Sequence, residues 1–386
     1  MMDLRPQKMD RDAEEMRKHL KGSELAPRFS AGVWYFYPPS GRFHEAYVEK
    51  GSIEDILAKI GRLHDEGYVD SSFGVEAHYP NEVNRDNLDL YRDLSRETGI
   101  RLITVIPNLF YDKVFELGSL SNPDPKVRKI AVDRLAESLR LNKELRTEFA
   151  VVWPGIDGCE NPFGFDFYGM WRRFEGGLAE AMDSVPGVRV ALEPKPYEPR
   201  GNNIYRNTAN GLIMARSVES LLRSGVNRGL LREGHALVGL NPEVGHVLMG
   251  HEELAYALAS ILREGRLAHT HWNSQPLGNY DQDLNVGVLG IDQALAAILV
   301  LKMYGYQGFF GIDINPERMP VEKALVLCMN SLEAACAVVN GLDYDGLVEA
   351  IFNPSENRGL AEDIMTRALA PASAGLRPIP DFSRKP

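Results

Sequence analysis

Residues 188–196 read VRVALEPKP, and this stretch says most about the fold. It begins with the alternating apolar pattern that is typical of a β-strand, and it ends with two charged residues, Glu193 and Lys195. Because successive side chains of a strand point to opposite faces, Glu193 and Lys195 share one face. Two opposite charges on one face at the end of an apolar strand indicate a functional site.

Seven other segments have the same short apolar run bounded by turn residues. Together they predict eight strands, at 33–38, 73–79, 101–108, 148–155, 188–196, 235–246, 267–273 and 308–315. Helical patterns separate the strands, with apolar residues at three- and four-residue spacing. The clearest helical stretches are 127–145, 251–265 and 291–305, and 328–342 is typical of a last barrel helix.

Eight strands that alternate with helices favour an α/β fold, a closed (β/α)₈ TIM barrel. A doubly wound open sheet fits the strand count as well. The polar residues favour the barrel, because they follow the strands at the C-terminal ends, where a closed barrel brings its loops to one mouth. We therefore expect a helix and linker at 1–28, a TIM-barrel catalytic domain at 29–342, and a C-terminal extension with oligomer contacts at 343–386.

The composition is that of an ordinary globular chain, with 386 residues, 44% of them hydrophobic, and a formal net charge of −11. This charge argues against a large nucleic-acid interface, which needs clustered Lys and Arg. No apolar run is long enough for a membrane span, and the first residues lack the apolar segment of a signal peptide. Three scattered cysteines form no CxxC motif, so we expect a cytoplasmic protein with neither a nucleic-acid nor a membrane partner.

Acidic and histidine residues lie at or just beyond the C-terminal ends of four consecutive predicted strands. They are Glu193, Glu243, His246, His271, Asp281, Asp283 and Asp313. Alone, each reads more simply as a helix cap, a loop residue or a buried histidine, so the prediction rests on the whole set. Seven potential ligands exceed what one divalent ion can use, and a shared carboxylate, most simply Glu243, could bridge two ions.

The seven residues then divide into two predicted metal sites. The first site would contain Glu193, Glu243, His271 and Asp313, and the second would contain Glu243, His246, Asp281 and Asp283. Ligands that are mostly oxygen, with one imidazole in each site, suit Mn²⁺, Co²⁺ or Mg²⁺.

Lys195 has two interpretations. It could form an ion pair with Glu193, or it could donate a hydrogen bond to a substrate oxygen on which negative charge develops. The predicted metal sites beside it favour the second interpretation.

Several ordered motifs of the chain resemble those of xylose isomerases. They are NLFYDKVF, AVVWPGIDG, EPKPYEPRGN, GLNPEVGHVLMG, YDQDLNVG and GIDIN, and the resemblance runs from about Phe29 to about residue 340. It implies a two-metal TIM barrel that interconverts an aldose and a ketose by a metal-assisted hydride shift, generally as a tetramer. By position, the two ligand sets above match the two metal sites of that family.

The resemblance also implies three catalytic roles. His78 matches the histidine that is associated with opening of the sugar ring, and Lys195 matches the lysine near the substrate carbonyl. Asp283 is expected to take part in catalysis as well as to bind metal.

Four residues are expected to contact the substrate. Trp34 and Trp153 match the tryptophans that line the sugar pocket, and Asn273 lies in the HTHWN motif, two residues after His271. Phe115 matches an aromatic residue that a neighbouring subunit inserts, which would make the smallest active unit a dimer.

Three positions depart from the pattern of xylose isomerases. His271 stands where that family has Asp, and this change is similar to rhamnose isomerases, whose first site also uses a histidine. Asn81 replaces the Asp that partners the ring-opening histidine, and Asn315 replaces a Lys. The sugar and the ring-opening step therefore stay open.

The sequence favours an aldose–ketose isomerase that acts on a small sugar as a dimer or tetramer, and three alternatives remain. A ketose 3-epimerase on the same barrel needs one metal and two carboxylates, which leaves Lys195 and the DQD pair without a role. A metal-dependent nuclease fits poorly with the acidic balance. A non-catalytic sugar- or partner-binding barrel is kept open by the substitutions at 81, 271 and 315.

Overall fold

The computed structural model describes residues 10–37, 45–46, 48–287, 289–316, 319–371 and 373–378. Parts of three sequence predictions lie outside these residues. They are residues 1–9 of the N-terminal segment, Pro38 at the end of the first expected strand, and 372 and 379–386 of the extension.

Eight parallel strands form a barrel. They are β1 (Arg28–Gly32), β2 (Gly74–Tyr79), β3 (Arg101–Pro107), β4 (Ala150–Val152), β5 (Val190–Leu192), β6 (Val238–Leu240), β7 (Thr270–Trp272) and β8 (Phe309–Ile312). One hydrogen-bonded group has the order β3-β2-β1-β8-β7, and the other has the order β4-β5-β6. The first and last strands pair directly, with Phe29 opposite Phe310.

Two backbone contacts join the two groups of strands. Glu148, just before β4, donates its N–H to the carbonyl of Ile103 in β3 at 3.0 Å. On the other side, Leu240 at the end of β6 forms a parallel bridge with Leu267, just before β7. The ring is therefore closed, and the predicted TIM barrel is confirmed.

Helices surround the barrel. They are α1 (Ala13–Gly22), α2 (Ile53–Asp65), α3 (Leu88–Thr98), α4 (Pro125–Leu145), α5 (Phe167–Ser184), α6 (Thr208–Leu221), α7 (Gly225–Arg232), α8 (Val244–Met249), α9 (Leu254–Arg263), α10 (Ile291–Met303), α11 (Val321–Asn340), α12 (Tyr344–Phe352) and α13 (Leu360–Leu369). Capping residues at the N-terminus favour the start of several of these helices. The side chain of Ser52 caps α2, and α4 begins with Asp124 as its cap followed by Pro125, which is favourable at a first helical position.

The expected first strand at 33–38 is wrong. The strand is Arg28–Gly32, and Val33–Phe36 forms a turn of 3₁₀-helix. Four of the five residues of β1 are buried, so the strand has no alternation that a period of two could detect. The 3₁₀ turn places the aromatic residues of this segment after the strand instead of within it.

The C-terminal extension contributes α12 and α13. Leu20 of α1 joins a buried apolar cluster with Tyr344, Leu347 and Val348 of α12. Arg17 also donates to Glu349 across this contact, at 2.9 Å. The extension thus packs on α1 of its own chain, and its contact with a second subunit stays a prediction.

No single helix in the described part of the chain is both long and apolar enough to cross a membrane. The helices α11 and α12 meet that test of length and composition only as a pair, and they are bent by 73° at their junction.

Candidate metal centre

The predicted ligands converge at the C-terminal mouth of the barrel. Glu193 directly follows β5, and Asp313 directly follows β8. Glu243 occupies the N-cap position of α8, but its side chain makes no capping hydrogen bond. His246 lies three residues later on the same face of that helix. The simpler interpretation, that the side chain of Glu243 caps this helix, is therefore wrong. Its carboxylate can instead bind a group at the mouth of the barrel.

The first cluster consists of Glu193, Glu243, His271 and Asp313, with one candidate ligand atom of each within 4.8 Å of the others. Nδ1 of His271 lies 3.2 Å from Oε2 of Glu193 and 3.3 Å from Oδ2 of Asp313. This buried nitrogen nevertheless has no hydrogen-bond partner among the described residues. Carboxylate oxygens gathered around an unpartnered nitrogen fit a divalent cation.

The second cluster consists of Glu243, His246 and Asp281, again within 4.8 Å. Nδ1 of His246 lies 3.2 Å from Oε2 of Glu243, and Nε2 lies 3.1 Å from Oδ2 of Asp281. Glu243 belongs to both clusters, and its position agrees with that of a bridging carboxylate.

Asp283 was expected in the second site, and the structure places it beside that cluster instead of within it. Oδ1 of Asp283 accepts a hydrogen bond from Nδ2 of Asn273 at 3.0 Å. Its backbone has φ 45°, in the left-handed region, which aspartate tolerates better than most residues. A role of Asp283 in metal binding or catalysis remains a prediction.

Asn273 was expected to contact the substrate, and this contact stays a prediction. The side chain is buried, and its Nδ2 donates to Glu243 at 2.8 Å as well as to Asp283. Its Oδ1 accepts from the N–H of Gly245 at 2.8 Å. All of its donors are occupied within the protein, so Asn273 holds the carboxylates in place.

The electrostatics of the centre fit cations. Burial and the neighbouring carboxylates raise the pKa of Glu243 and of Asp283 well above the usual range. Burial acts in the same direction on Asp281, but His246 and Lys195 outweigh it and lower its pKa. Five carboxylates crowd this region, and divalent cations together with Lys195 would offset their negative charge.

Lys195 pairs with Asp281 and not with Glu193. Its Nζ lies 2.7 Å from Oδ2 of Asp281 and 3.6 Å from Oε2 of Glu198. It also lies 5.2 Å from the ring centroid of Trp153, in a cation–π arrangement. Burial lowers the pKa of Lys195, but the surrounding carboxylates raise it above the usual value, so this residue is a charged donor.

His78 has a carboxylate partner that the sequence did not reveal. Its Nδ1 lies 3.0 Å from Oε2 of Glu82, and its backbone N–H donates to the same oxygen at 2.7 Å. Burial lowers the pKa of His78, and Glu82 outweighs burial and raises it. Glu82 therefore provides the carboxylate partner of His78 that an Asp at position 81 was expected to provide. An acidic residue directly after Asn81 was the feature of the sequence that could have indicated this partner.

Aromatic rings form a wall along one side of the centre. We call Trp34, His78, Phe110 and Trp153 the aromatic wall. Successive ring centroids are 4.7 Å apart from Trp34 to His78, 5.8 Å from His78 to Phe110 and 4.7 Å from Phe110 to Trp153. Nε1 of Trp34 also donates to Oδ1 of Asp313 at 2.9 Å. Phe110 was not predicted, although it lies directly after β3 in the NLFYDKVF motif.

The expectation that Phe115 enters a neighbouring subunit is wrong. Phe115 is 0% exposed within its own chain, in the 3₁₀ turn Lys113–Phe115. The guanidinium of Arg134 covers its ring at 4.9 Å. A side chain so enclosed cannot reach a second protomer unless the loop unfolds.

Residues 71–331 match the family described as xylose isomerase-like TIM barrel. The chain belongs to this family. Among its relatives, the xylose isomerase of Thermus thermophilus is 30% identical over 310 residues, which are 77% of this chain and 75% of the relative. The xylose isomerase of Thermus caldophilus is 34% identical over the same shares of the two chains.

Solved structures with the same fold include a D-tagatose 3-epimerase-like protein, with a TM-score of 0.58 and 16% identity over 81% of this chain and 99% of that one. A xylose isomerase domain protein from Alicyclobacillus acidocaldarius has a TM-score of 0.55 and 15% identity, over 82% and 100% of the two chains. The 3-keto-D-glucoside 4-epimerase of E. coli has a TM-score of 0.54 and 16% identity, over 81% and 100%. At these identities the likeness concerns the fold alone.

Proposed function

We propose that the protein is a metal-dependent aldose–ketose isomerase, an intramolecular oxidoreductase of the xylose and rhamnose isomerase type. The observation that carries the proposal is the pair of buried clusters that share Glu243 beside a charged lysine and the aromatic wall. The relatives named xylose isomerase at 30% and 34% identity support the same reaction.

The two clusters would hold two divalent ions, Mn²⁺, Co²⁺ or Mg²⁺. Glu193, His271 and Asp313 would serve one ion, His246 and Asp281 the other, and Glu243 both, with Asp283 nearby. Such ions, when bound, supply Lewis-acid polarisation of neighbouring sugar oxygens.

The reaction itself moves hydrogen within the substrate. The hydrogen on C2 passes to C1 with its electron pair, the O2 proton leaves so that C2 becomes a carbonyl, and O1 gains a proton. No atom is added overall, and no external oxidant or reductant is needed.

Lys195 would donate a hydrogen bond to the substrate oxygen on which negative charge grows. Its ammonium is held by Asp281 and by the face of Trp153, so it is oriented before the substrate arrives. Donors fixed in this way stabilise a transition state because they need no reorganisation during the reaction.

His78 would handle the proton that moves when a cyclic sugar opens. A carboxylate only accepts hydrogen bonds, so the contact with Glu82 places the hydrogen of His78 on Nδ1. Nε2 is then free to take a proton from a ring hydroxyl and to return it.

The aromatic wall would receive the apolar face of the sugar. Trp34, Phe110 and Trp153 are half-buried, so each ring leaves part of its surface open. These rings would keep water away from the carbons between which the hydrogen moves.

The proposal is tested by a sugar screen with a defined metal. The protein is treated with a chelator, and aldoses and ketoses are then offered with Mn²⁺, Co²⁺ or Mg²⁺. We expect interconversion of one aldose–ketose pair, and only after metal is added. Absence of turnover for every sugar and metal would contradict the proposal and favour a binding protein.

Lys195 offers a second test with a matched control. Lys195→Met should lower kcat by about 10²–10³-fold, as loss of a fixed transition-state donor does. Lys302 is also buried, but it lies in α10 and donates to Asn340. Lys302→Met should leave kcat unchanged, and an equal loss in both variants would show that the effect is structural.

A further inference from the structure

Glu76 is a buried carboxylate inside the barrel that the proposed reaction does not use. It lies in β2 and is 1% exposed. Oε2 of Glu76 lies 3.1 Å from Nε2 of His271. Oε1 lies 3.0 Å from Nε2 of His269 and accepts from the hydroxyl of Ser30 at 2.7 Å. Both oxygens of Glu76 are therefore engaged, and one of them contacts a residue of the first cluster.

The contact with Glu76 determines which nitrogen of His271 carries the hydrogen. An ionised carboxylate can only accept, so Nε2 of His271 is the donor. Nδ1 is then the nitrogen that faces Glu193 and Asp313 in the first cluster and would bind an ion there.

Gly311 of β8 has no side chain, and this makes room for Glu76 between His269 and His271. A Cβ at that position would lie 2.7 Å from Nε2 of His269, 2.8 Å from Cδ2 of His271 and 3.0 Å from Oε1 of Glu76. Cβ atoms essentially never lie as close to other atoms as the first two of these distances, so the two histidine rings would have to shift. The absence of a side chain at Gly311 is thus a condition for placing one carboxylate between two histidines.

We propose that Glu76 is a positioning residue that holds His271 as a ligand through Nδ1 and supplies the negative charge that a neutral imidazole lacks. Glu76 and His271 together replace a carboxylate that would bind an ion directly. The inference rests on the proposed function, because it requires an ion in the first cluster. Carboxylates behind metal-bound histidines fix the tautomer and the ring orientation in this way.

A third ion among Glu76, His269 and His271 is the competing interpretation, since their ligand atoms also lie within 4.8 Å of one another. The hydrogen-bond distances of both rings to Glu76 favour positioning over a third ion. The stoichiometry of metal binding separates the two interpretations.

The test is a double-mutant cycle on Mn²⁺ binding, measured by titration calorimetry on chelator-treated protein. Glu76→Gln should weaken one of two sites by about 10–100-fold, the range for loss of such a partner. In a His271→Asp background the same substitution should have little effect, because an aspartate binds without a hydrogen-bonded partner. Ser30→Ala is the control, since it removes a contact of Glu76 but spares the one with His271.

Circular dichroism checks that each variant folds. If Glu76→Gln does not fold, Glu76→Asp replaces it, and the shortened side chain should weaken the same site while it keeps the charge. Equal losses in the two backgrounds would overturn the inference, as would a third bound equivalent that the Glu76 variant loses. A wild-type protein that binds no Mn²⁺ would overturn the proposed function too, whereas two normal sites without coupling would overturn the inference alone.

Discussion

Glu243 is the residue on which both clusters depend. We predict that Glu243→Gln abolishes activity and weakens both metal sites, because the amide removes a charge that two ions would share. Glu193→Gln should affect chiefly the first cluster, and Asp281→Asn chiefly the second. Metal titration of the three variants is the measurement, and two sites of wild-type affinity in Glu243→Gln would refute the shared role.

His271 should set the metal preference. Mg²⁺ favours all-oxygen octahedral surroundings, whereas Mn²⁺ and Co²⁺ accept imidazole readily. We predict more activity with Mn²⁺ or Co²⁺ than with Mg²⁺, and a narrower gap in His271→Asp. Rates measured with each metal at saturation decide this point. Equal or better activity of the wild type with Mg²⁺ would count against His271 as a ligand.

The sequence predicted the residues that form the first and second clusters but not the residues that orient them. Charged residues at consecutive strand ends are visible in the sequence because a barrel brings those ends together. Glu76 and Glu82 were missed because each acts through a contact with a histidine, and spacing along the chain does not show which side chains meet. The positions of Asn273 and Asp283 depend on a loop conformation, which the sequence does not fix either.

At the scale of the element, the loop after β3 contains two phenylalanines with different roles, one in packing and one in the proposed function. Phe115 is enclosed within the chain, while Phe110 contacts His78 and Trp153. We predict that Phe115→Ala lowers the free energy of unfolding by about 3–5 kcal/mol, the usual cost of emptying a core phenylalanine site. Phe110→Ala should lower the free energy of unfolding less than Phe115→Ala does, and it should lower the enzymatic rate more. Denaturant titrations and rate measurements on the two variants test these predictions. A Phe115→Ala variant that is stable but inactive would contradict the assignment of packing to Phe115 and of function to Phe110.

Strand β8 gives a second prediction at this scale. Gly311→Ala should lower the free energy of unfolding of the metal-free protein by about 1–3 kcal/mol, the range for overpacking of a core. Gly61 in α2 is the matched control, because a Cβ there meets nothing within 4 Å. Gly61→Ala should stabilise the protein by up to about 1 kcal/mol. Neutral behaviour of Gly311→Ala would show that the interior can shift to accept a methyl group.

The sequence predicted the position of a strand correctly where an apolar run ends in charged or aromatic residues. The prediction was wrong at β1. There the strand consists of small buried residues, whereas the aromatic residues that attract attention belong to the next turn. Hydrophobicity marks burial in both elements, but it does not distinguish a short strand from a 3₁₀ turn.

At the scale of the whole molecule, the three cysteines are free and buried. Burial raises the pKa of the Cys328 thiol to about 11, and burial with Glu333 raises that of Cys336 to about 12. The reactive thiolate forms of Cys328 and Cys336 are therefore scarce at pH 8 and increase as the pH rises toward those values. We predict that a thiol reagent modifies the native protein far more slowly than the guanidinium-denatured protein at that pH. Equal rates would mean that α11, which contains Cys328 and Cys336, opens readily.

The central claim is that the protein moves a hydride within a sugar, and one measurement addresses it directly. Once a substrate pair is known, the reaction is run in D₂O with Mn²⁺, and the product is examined by proton NMR. A hydride shift predicts a product carbon that keeps the substrate hydrogen and contains no solvent deuterium. Deuterium at that carbon would show proton transfer through the solvent, as expected of an epimerase, and would contradict the claim.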